Sequence, residues 1–222
     1  MIYYFQGFDT YEEALEDVKR NGLKLMHMGN QTPELCLEAV KQNGFALQYV
    51  REQTEAICIE AVREDPWALR LVNNQTKEIC LTAIRQKPIT LQCVRNQTYD
   101  ICLEAVKEDG FALQYAHIQT EEMCLIAVKQ YGFALQWVQN QTPQICLEAV
   151  QKHGHALKYV RNQTEAICLE AVKQDGMALD YVKEQTEEIC YEAVKQNSWA
   201  IQRIRDKEMF DKVAKALAIE VE

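Results

Sequence analysis

The sequence lacks the features that membrane proteins and most enzyme classes require. No run approaches the roughly 20 consecutive apolar residues that span a bilayer, and residues 1–5 have neither the basic start nor the length of a secretory signal. No glycine-rich phosphate loop, nucleophile elbow or paired-carboxylate motif occurs. We therefore expect a cytoplasmic protein that is not an enzyme, does not associate with membranes and uses no cofactor.

Basic residues are also scarce. The chain has 24 Lys and Arg against 33 Asp and Glu, which gives a formal net charge of −9. Sequence-independent binding to nucleic acid depends on Lys and Arg that neutralise phosphates, so this balance argues against a general polyanion binder. With 48% hydrophobic residues, the chain has enough apolar side chains to fold.

What the sequence does contain is a 22-residue repeat. Threonine recurs at this spacing from Thr32 to Thr186, preceded each time by glutamine, from Gln31 to Gln185. Eight cysteines follow in step, at Cys36, Cys58, Cys80, Cys102, Cys124, Cys146, Cys168 and Cys190. A fixed repeat of this length is typical of solenoids, in which each unit buries its apolar face against its neighbours.

The repeat that begins at Thr32 predicts a helical hairpin. Thr32 suits the N-cap of a first helix, and Pro33 suits its first position, where the missing N–H costs nothing. The apolar residues fall on one helical face, at Leu35, Cys36, Ala39 and Val40. Leu37 widens this buried stripe.

A second, shorter helix follows in each repeat, with a buried face like that of Ala46, Leu47 and Val50. We expect glycines to end the first helix in the left-handed conformation, and aspartates to cap the second; the glycines are Gly44, Gly110, Gly132, Gly154 and Gly176, and the aspartates are Asp65, Asp109 and Asp175.

The predicted fold is all-α, an α-solenoid of short helical hairpins. Residues 1–31 form an N-terminal segment with a degenerate capping repeat, in which Ala14 replaces the cysteine. Residues 32–207 hold eight repeats, and residues 208–222 form a C-terminal capping helix in which Lys212 occupies the cysteine position.

The repeat Thr-x-Glu-Ile-Cys-Leu-Glu-Ala-Val-Lys-Gln-x-Gly-x-Ala-Leu-x-Tyr-Val resembles a family of unknown function found in bacteria, phages, giant viruses and some bacterial effector proteins. The resemblance runs from about Thr10 to Lys207. It implies a solenoid in the cytoplasm of a bacterium, or of a host cell if the protein is phage- or effector-derived. The family has no assigned catalytic residues, so no activity follows.

The regular cysteines favour a structural role over disulfides or metal binding. Adjacent helices lie about 8 to 10 Å apart, beyond the roughly 7 Å between Cα atoms that a disulfide allows. The same spacing keeps four sulfurs from converging on zinc, and no Cys-x-x-Cys pair is present. We expect these cysteines to be core residues, and Cys93, in the second helix, to be partly exposed.

Other motifs have structural interpretations as well. The Asn-Gln-Thr triplets, such as Asn30-Gln31-Thr32, match the glycosylation pattern, but we take the match as accidental because the threonine is already explained as an N-cap. The glutamines are expected to bond backbone groups left open between hairpins. His153 and His155 are predicted to be solvent-exposed residues and not metal ligands.

The second helices carry the candidate binding residues. Equivalent residues at the Tyr49 and Phe45 positions vary among repeats whose core positions do not, as a surface that contacts an irregular partner would, and the Arg51 position is largely basic. The predicted binding residues are Tyr49, Arg51, Arg95, Tyr115, His117, Trp137, Tyr159, Arg161, Tyr181 and Lys183. For the basic residues, stabilisation of helix C-termini is the alternative. The Phe45 position, which includes Phe111 and Phe133, is expected to pack between hairpins.

Three functions remain open. The first is a protein-binding scaffold that uses the aromatic and basic side chains of the second helices. The second is binding of single-stranded nucleic acid, with bases stacked on Tyr115, Trp137 and Tyr159 and phosphates near Arg95 and Arg161. The third is inhibition of a nucleic-acid enzyme through an acidic first-helix face formed by Glu38, Glu60, Glu104, Glu148, Glu170 and Glu192.

Overall fold

The structure, a computed structural model, describes residues 10–217 and consists there of α-helices that alternate with 3-10 helices, without a β-strand. The α-helices are α1 (Tyr11–Arg20), α2 (Pro33–Gln42), α3 (Glu55–Glu64), α4 (Lys77–Gln86), α5 (Tyr99–Glu108), α6 (Glu121–Gln130), α7 (Pro143–Lys152), α8 (Glu165–Gln174), α9 (Glu187–Gln196) and α10 (Lys207–Ala216). The 3-10 helices are Gly22–His27, Gly44–Tyr49, Pro66–Leu71, Pro88–Cys93, Gly110–Tyr115, Gly132–Trp137, Gly154–Tyr159, Gly176–Tyr181 and Ser198–Arg203.

The described chain forms two compact units. Unit 1 contains residues 10–108 and 115–118, and unit 2 contains residues 109–114 and 119–217. Within unit 1, α1 to α5 pack in chain order, and within unit 2, α6 to α10 do the same. Each α-helix from α2 to α4 and from α7 to α9 packs on the 3-10 helix of its own repeat and on that of the repeat before it. This architecture confirms the predicted all-α repeat fold of the α-solenoid class. Parts of the predicted end segments, residues 1–9 and 218–222, lie outside the described residues.

The threonines begin the α-helices as predicted. The Thr32 Oγ1 accepts a hydrogen bond from the Leu35 N–H at 3.2 Å, and Thr10 does the same for Glu13 in the degenerate first repeat. Pro33 occupies the first turn of α2. These bonds satisfy N–H groups that have no partner within the helix, which fixes where each helix starts.

The second helix of each hairpin is a 3-10 helix of six residues. The aspartates cap it as predicted, since Oδ1 of Asp65, Asp109 and Asp175 accepts from the N–H two residues on, at 2.9 Å in each case. Three residues per turn place positions i and i+3 on one ridge. Leu47 therefore lies in line with Gly44 in the buried interior, while Gln48 lies in line with Phe45 towards solvent.

The predicted role of the glycines is wrong. None of the glycines from Gly44 to Gly176 has a left-handed backbone, and the residue directly after α2, Asn43, is extended with φ −156°. The glycine is needed because the next hairpin lies too close for a side chain. A Cβ on Gly44 would lie 2.5 Å from the carbonyl oxygen of Ala61, and one on Gly132 would lie 2.4 Å from that of Ala149.

The eight cysteines at the repeat spacing are free and buried, which confirms the core prediction, and Cys93 is half-buried. Burial raises the pKa of the Cys124 thiol to about 11, with Glu121 contributing in the same direction. Burial also raises the pKa of Cys190 to about 11, although Arg205 opposes the shift. A raised pKa keeps the reactive thiolate scarce at neutral pH.

This burial predicts slow labelling of the native protein by thiol reagents. At pH 8 a thiol of pKa 11 is ionised in about one molecule in a thousand, and the thiolate is the species that reacts. We expect Cys93 to react first with a chromogenic disulfide reagent, because its side chain is half-exposed. The other eight thiols should react after unfolding in guanidinium. Rapid reaction of several thiols in the folded protein would contradict the buried assignment.

The glutamines join consecutive hairpins, as the sequence predicts. Nε2 of Gln141 donates to the carbonyl oxygens of Leu135 at 3.3 Å and Tyr159 at 2.9 Å, and its Oε1 accepts from the Arg161 N–H at 3.0 Å. Two of these three groups belong to the next hairpin. The same three bonds recur at every repeat, at Gln31, Gln53, Gln75, Gln97, Gln119, Gln141, Gln163 and Gln185.

Candidate protein-binding face

The predicted aromatic residues lie at the ends of the 3-10 helices and are half-buried. In unit 1 these are Tyr49 and Tyr115, and in unit 2 they are Trp137, Tyr159 and Tyr181. Each of these residues is therefore partly packed and partly accessible to a partner. In unit 1 the two intervening repeats carry Leu71 and Cys93 at the same position, so unit 2 holds the longer run of rings.

The Phe45 position is more exposed than predicted. In unit 2, Phe111 and Phe133 are each 37% exposed, and Trp199 is 68% exposed. Phe111 packs edge-on against Trp137, with ring centroids 5.3 Å apart, and Phe133 packs edge-on against Tyr159 at 6.3 Å. These rings thus pack between hairpins, as predicted, and also present apolar surface to solvent.

A third aromatic position is not among the predicted binding residues. Tyr131, 40% exposed, lies against Phe111 with centroids 4.4 Å apart, and His153 stacks on Phe133 at 5.0 Å. Both residues end an α-helix at a position that elsewhere carries Asn, Asp or Lys. The presence of rings at a position that is otherwise polar is the sequence feature that could have identified these two residues. We call the six residues Phe111, Tyr131, Phe133, Trp137, His153 and Tyr159 the aromatic face of unit 2.

Basic residues at the Arg51 position contact backbone carbonyl groups. Arg51 donates from Nη1 to the Gly29 carbonyl oxygen at 2.7 Å, and Arg161 donates to those of Gln139 at 2.7 Å and Val138 at 3.0 Å. Arg95 makes the corresponding pair of bonds in unit 1, and Lys183 Nζ donates to Arg161 O at 2.7 Å. These backbone carbonyl oxygens lie just after the C-terminal end of the preceding 3-10 helix. A positive charge is favourable there because a helix carries partial negative charge at its C-terminus.

These contacts give the basic side chains a structural role. Their predicted role in binding stays a prediction, as does that of His117, which is exposed at the same position and offers its backbone N–H to Gln97 at 2.9 Å. A guanidinium that already donates two hydrogen bonds has fewer donors left for a phosphate.

His153 and His155 have separate partners. His153 Nδ1 accepts from the Gly132 N–H at 3.2 Å, while His155 Nδ1 lies 2.9 Å from an Asp175 carboxylate oxygen. Both rings are half-buried, which corrects the prediction of solvent-exposed histidines. Within residues 10–217, no group of three or more His, Cys, Asp or Glu side chains is arranged to hold a metal ion.

Small clefts lie between consecutive repeats on the side of the α-helix N-termini. One of about 360 Å³ is lined by Arg161, Gln163, Thr164, Lys183 and Glu184, among others. Its threonine caps a helix, and its glutamine is fully used in joining hairpins. Thr164 and Gln163 in this cleft therefore already serve the fold.

The fold defines a helical-hairpin repeat protein, and in unit 2 its exposed large apolar residues include Phe111, Tyr131, Phe133 and Trp199. The model of the domain of unknown function DUF4116 matches residues 32–77, 98–142, 120–165, 142–185 and 164–209. These matches include more than half of the chain, which therefore belongs to this family. Neither a curated protein nor a solved structure matches it. None of the helices in the described range is long and apolar enough to cross a membrane.

Proposed function

We propose that this chain is a non-enzymatic binding protein that contacts a partner protein through the aromatic face of unit 2. The observation that carries the proposal is the cluster of exposed rings at Phe111, Tyr131 and Phe133. Exposed aromatic groups that form a contiguous patch mark interaction sites, and aromatic anchors commonly dominate binding energy. Trp137 and Tyr159 support these rings from the next hairpins.

Single-stranded nucleic acid is the second candidate, because bases stack on the same kind of ring. The net charge of −9 opposes it. So does the engagement of Arg95 and Arg161 with backbone carbonyl oxygens. A protein partner needs no row of free cations, and we rank it first.

Inhibition of a nucleic-acid enzyme through the acidic first-helix face ranks third. A polyanion mimic needs free carboxylates, but each of the six glutamates has a partner side chain. Glu38, Glu60 and Glu192 pair with a Lys or Arg three residues on, at 2.5 to 3.2 Å. Glu104 and Glu148 pair with Arg85 and Lys129 of the preceding helices, and Glu170 accepts from Gln151.

The proposal predicts a large loss of binding when Phe111 and Phe133 are both changed to Ser. Central aromatic anchors contribute about 2 kcal/mol each, so affinity should fall by a factor of about 100 or more. The measurement is capture of a protein from the native cell with and without nuclease, followed by affinity measurements with the purified partner. Both rings also pack between hairpins, so thermal unfolding of the variant should first show that it is folded at the temperature of the binding measurement.

Ile89→Ser is the matched control. Ile89 occupies the same repeat position in unit 1 and is 40% exposed, but it lies outside the aromatic face. Its variant should bind like the wild type. If nuclease abolishes capture, nucleic acid is the ligand, and if the Ile89 variant loses as much affinity as the double variant, the binding face is assigned wrongly.

A further inference from the structure

We propose that the aromatic face binds an extended, proline-rich, acidic segment of its partner. This inference rests on the proposed function and specifies the partner's chemistry. It follows from three properties of the face: perpendicular ring pairs that recur once per hairpin, unpaired hydrogen-bond donors beside them, and the charge that remains after internal pairing.

The ring pairs form a regular series. The rings of Phe111 and Trp137 meet at an interplanar angle of 70°, and those of Phe133 and Tyr159 meet at 90°. Each pair consists of one ring from each of two consecutive hairpins. We call the angle between the two rings a corner, since an apolar ring forms each of its two sides. A pyrrolidine ring is a compact apolar group that packs well in such a corner, and aromatic-lined grooves are the usual receptors of proline-rich segments.

The spacing of these corners suits a polyproline II helix. Adjacent hairpins pack at roughly 8 to 10 Å. A polyproline II helix has three residues per turn and rises 3.1 Å per residue, so it presents the same face about every 9 Å. In a β-strand, side chains on one face recur about every 7 Å, which fits less well. One residue in three of a polyproline II segment can thus occupy successive corners.

The aromatic face also carries hydrogen-bond donors that could bind a proline-rich backbone, which has few N–H groups. Trp137 Nε1 and the Tyr159 hydroxyl have no hydrogen-bond partner within the described residues, and no buried side-chain nitrogen or oxygen there lacks one, so both atoms reach solvent. An indole N–H can donate but cannot accept. Proline residues have a carbonyl acceptor and no N–H, which makes a proline-rich backbone the complement of these donors.

Charged residues beside the aromatic face indicate that the partner segment is acidic. Near Tyr159, Asp180 lies 3.6 Å from Arg203, and Asp175 lies 2.9 Å from His155 and also accepts from the Met177 N–H. Lys158 makes no ion pair within the described residues, and its ammonium lies 5.7 Å from the centroid of the Tyr159 ring. Lys158 is therefore an unpaired cation beside Tyr159, while Asp175 and Asp180 have basic partners. A carboxylate of the partner would pair with Lys158.

The test uses twelve-residue peptides and the full chain. Calorimetric titrations compare Pro-Pro-Glu, Pro-Pro-Lys and Ala-Ala-Glu, each repeated four times, with a thymidine oligonucleotide of equal length. We expect the Pro-Pro-Glu peptide to bind at least about 10-fold more tightly than the other three ligands. Lys158→Glu should reverse the preference between the Glu and Lys peptides, whereas Lys173→Glu, an equal charge change on the exposed side of α8, should leave it unchanged.

A second variant tests the donor argument. Trp137→Phe keeps an aromatic ring and removes the indole N–H, so it should weaken the Pro-Pro-Glu peptide by about 5- to 10-fold with little change in thermal midpoint. Equal binding of the Glu and Lys peptides, equal binding of the alanine peptide, tighter binding of the oligonucleotide, or no peptide binding at about 1 mM would each overturn the inference. If that happens while capture of the native partner still depends on Phe111 and Phe133, the proposed function stands without it.

Discussion

Raising the pH from 8 to 11 should destabilise unit 2 by about 5 kcal/mol through two buried thiols. The pKa values of Cys124 and Cys190 rise from 9.0 to about 11 because burial disfavours the thiolate. The folded state thus holds protons that the unfolded state releases from about pH 9 upward. The stabilisation is fully present below pH 9 and is lost as the pH approaches 11. A pKa difference of about 2 between the folded and unfolded states, at each of two thiols, corresponds to about 5 kcal/mol of stability.

The measurement is urea unfolding in reducing buffer at pH 8 and pH 11, for the wild type and the Cys124→Ala/Cys190→Ala variant. Lysine and tyrosine ionisation affects both proteins equally, so their difference isolates the two thiols. The variant should be less stable at pH 8 because of the lost side-chain packing. It should also lose less stability at pH 11. Equal losses in the two proteins would show that these thiols do not titrate in the folded state as described.

Replacing Gln141 by Glu should destabilise unit 2 by about 3 to 5 kcal/mol. The Gln141 amide donates to two carbonyl oxygens, which a carboxylate cannot do. The Tyr159 carbonyl oxygen loses its donor, at about 1 to 3 kcal/mol, whereas that of Leu135 still accepts from the Val138 N–H. The new negative charge lies against both carbonyl oxygens and adds to the cost. Thermal and urea unfolding measure the effect, and protonation of the glutamate near pH 4 should recover part of it.

Two comparisons separate the causes of this loss. Gln141→Met keeps the length of the side chain without a charge, so it should cost less than Gln141→Glu. Gln48→Glu changes an exposed glutamine that donates to the carbonyl oxygen of Phe45, in its own 3-10 helix, and should cost under about 1 kcal/mol. A Gln141→Glu variant as stable as Gln48→Glu would mean that the bonds between hairpins contribute little.

Those parts of the fold that follow local rules were predictable from the sequence. Thr32 caps the α-helix that follows it directly, and Asp65 caps the 3-10 helix that begins at Pro66. Cys36 and Ala39 are buried because they share one face of a helix. Repetition strengthens each rule, since a residue that recurs every 22 positions must fit the same environment each time.

What the sequence could not show was the distance between hairpins. The sequence predicted that Gly44 is needed to end the helix before it. The structure shows instead that a side chain at Gly44 is excluded by the carbonyl oxygen of Ala61, in the next hairpin. The sequence likewise does not show that the Arg161 guanidinium donates to a carbonyl 22 residues earlier. Both findings concern contacts between repeats.

The candidate site was predicted in part for a related reason. The sequence identified Trp137 and Tyr159 but ranked Phe111 and Phe133 below them. The exposure of Phe111 and Phe133 depends on the helix type. In a 3-10 helix, with three residues per turn, the residue after the glycine lies on the same ridge as an exposed glutamine. An α-helix, with 3.6 residues per turn, would place this residue on a different side. Tyr131 was missed because it stands at a position that is polar in most repeats.

The glutamine bonds also determine how such a chain can change in length. Each bond joins a residue to partners 6 residues earlier and 18 or 20 residues later, all within one repeat and its successor. Duplication or removal of a 22-residue segment therefore recreates the same donors and acceptors at the new junction. A shift of any other size leaves amides facing the wrong backbone groups. The 22-residue segment is thus the natural step for recombination in the gene, and whole hairpins are the increments by which the repeat array can grow or shrink.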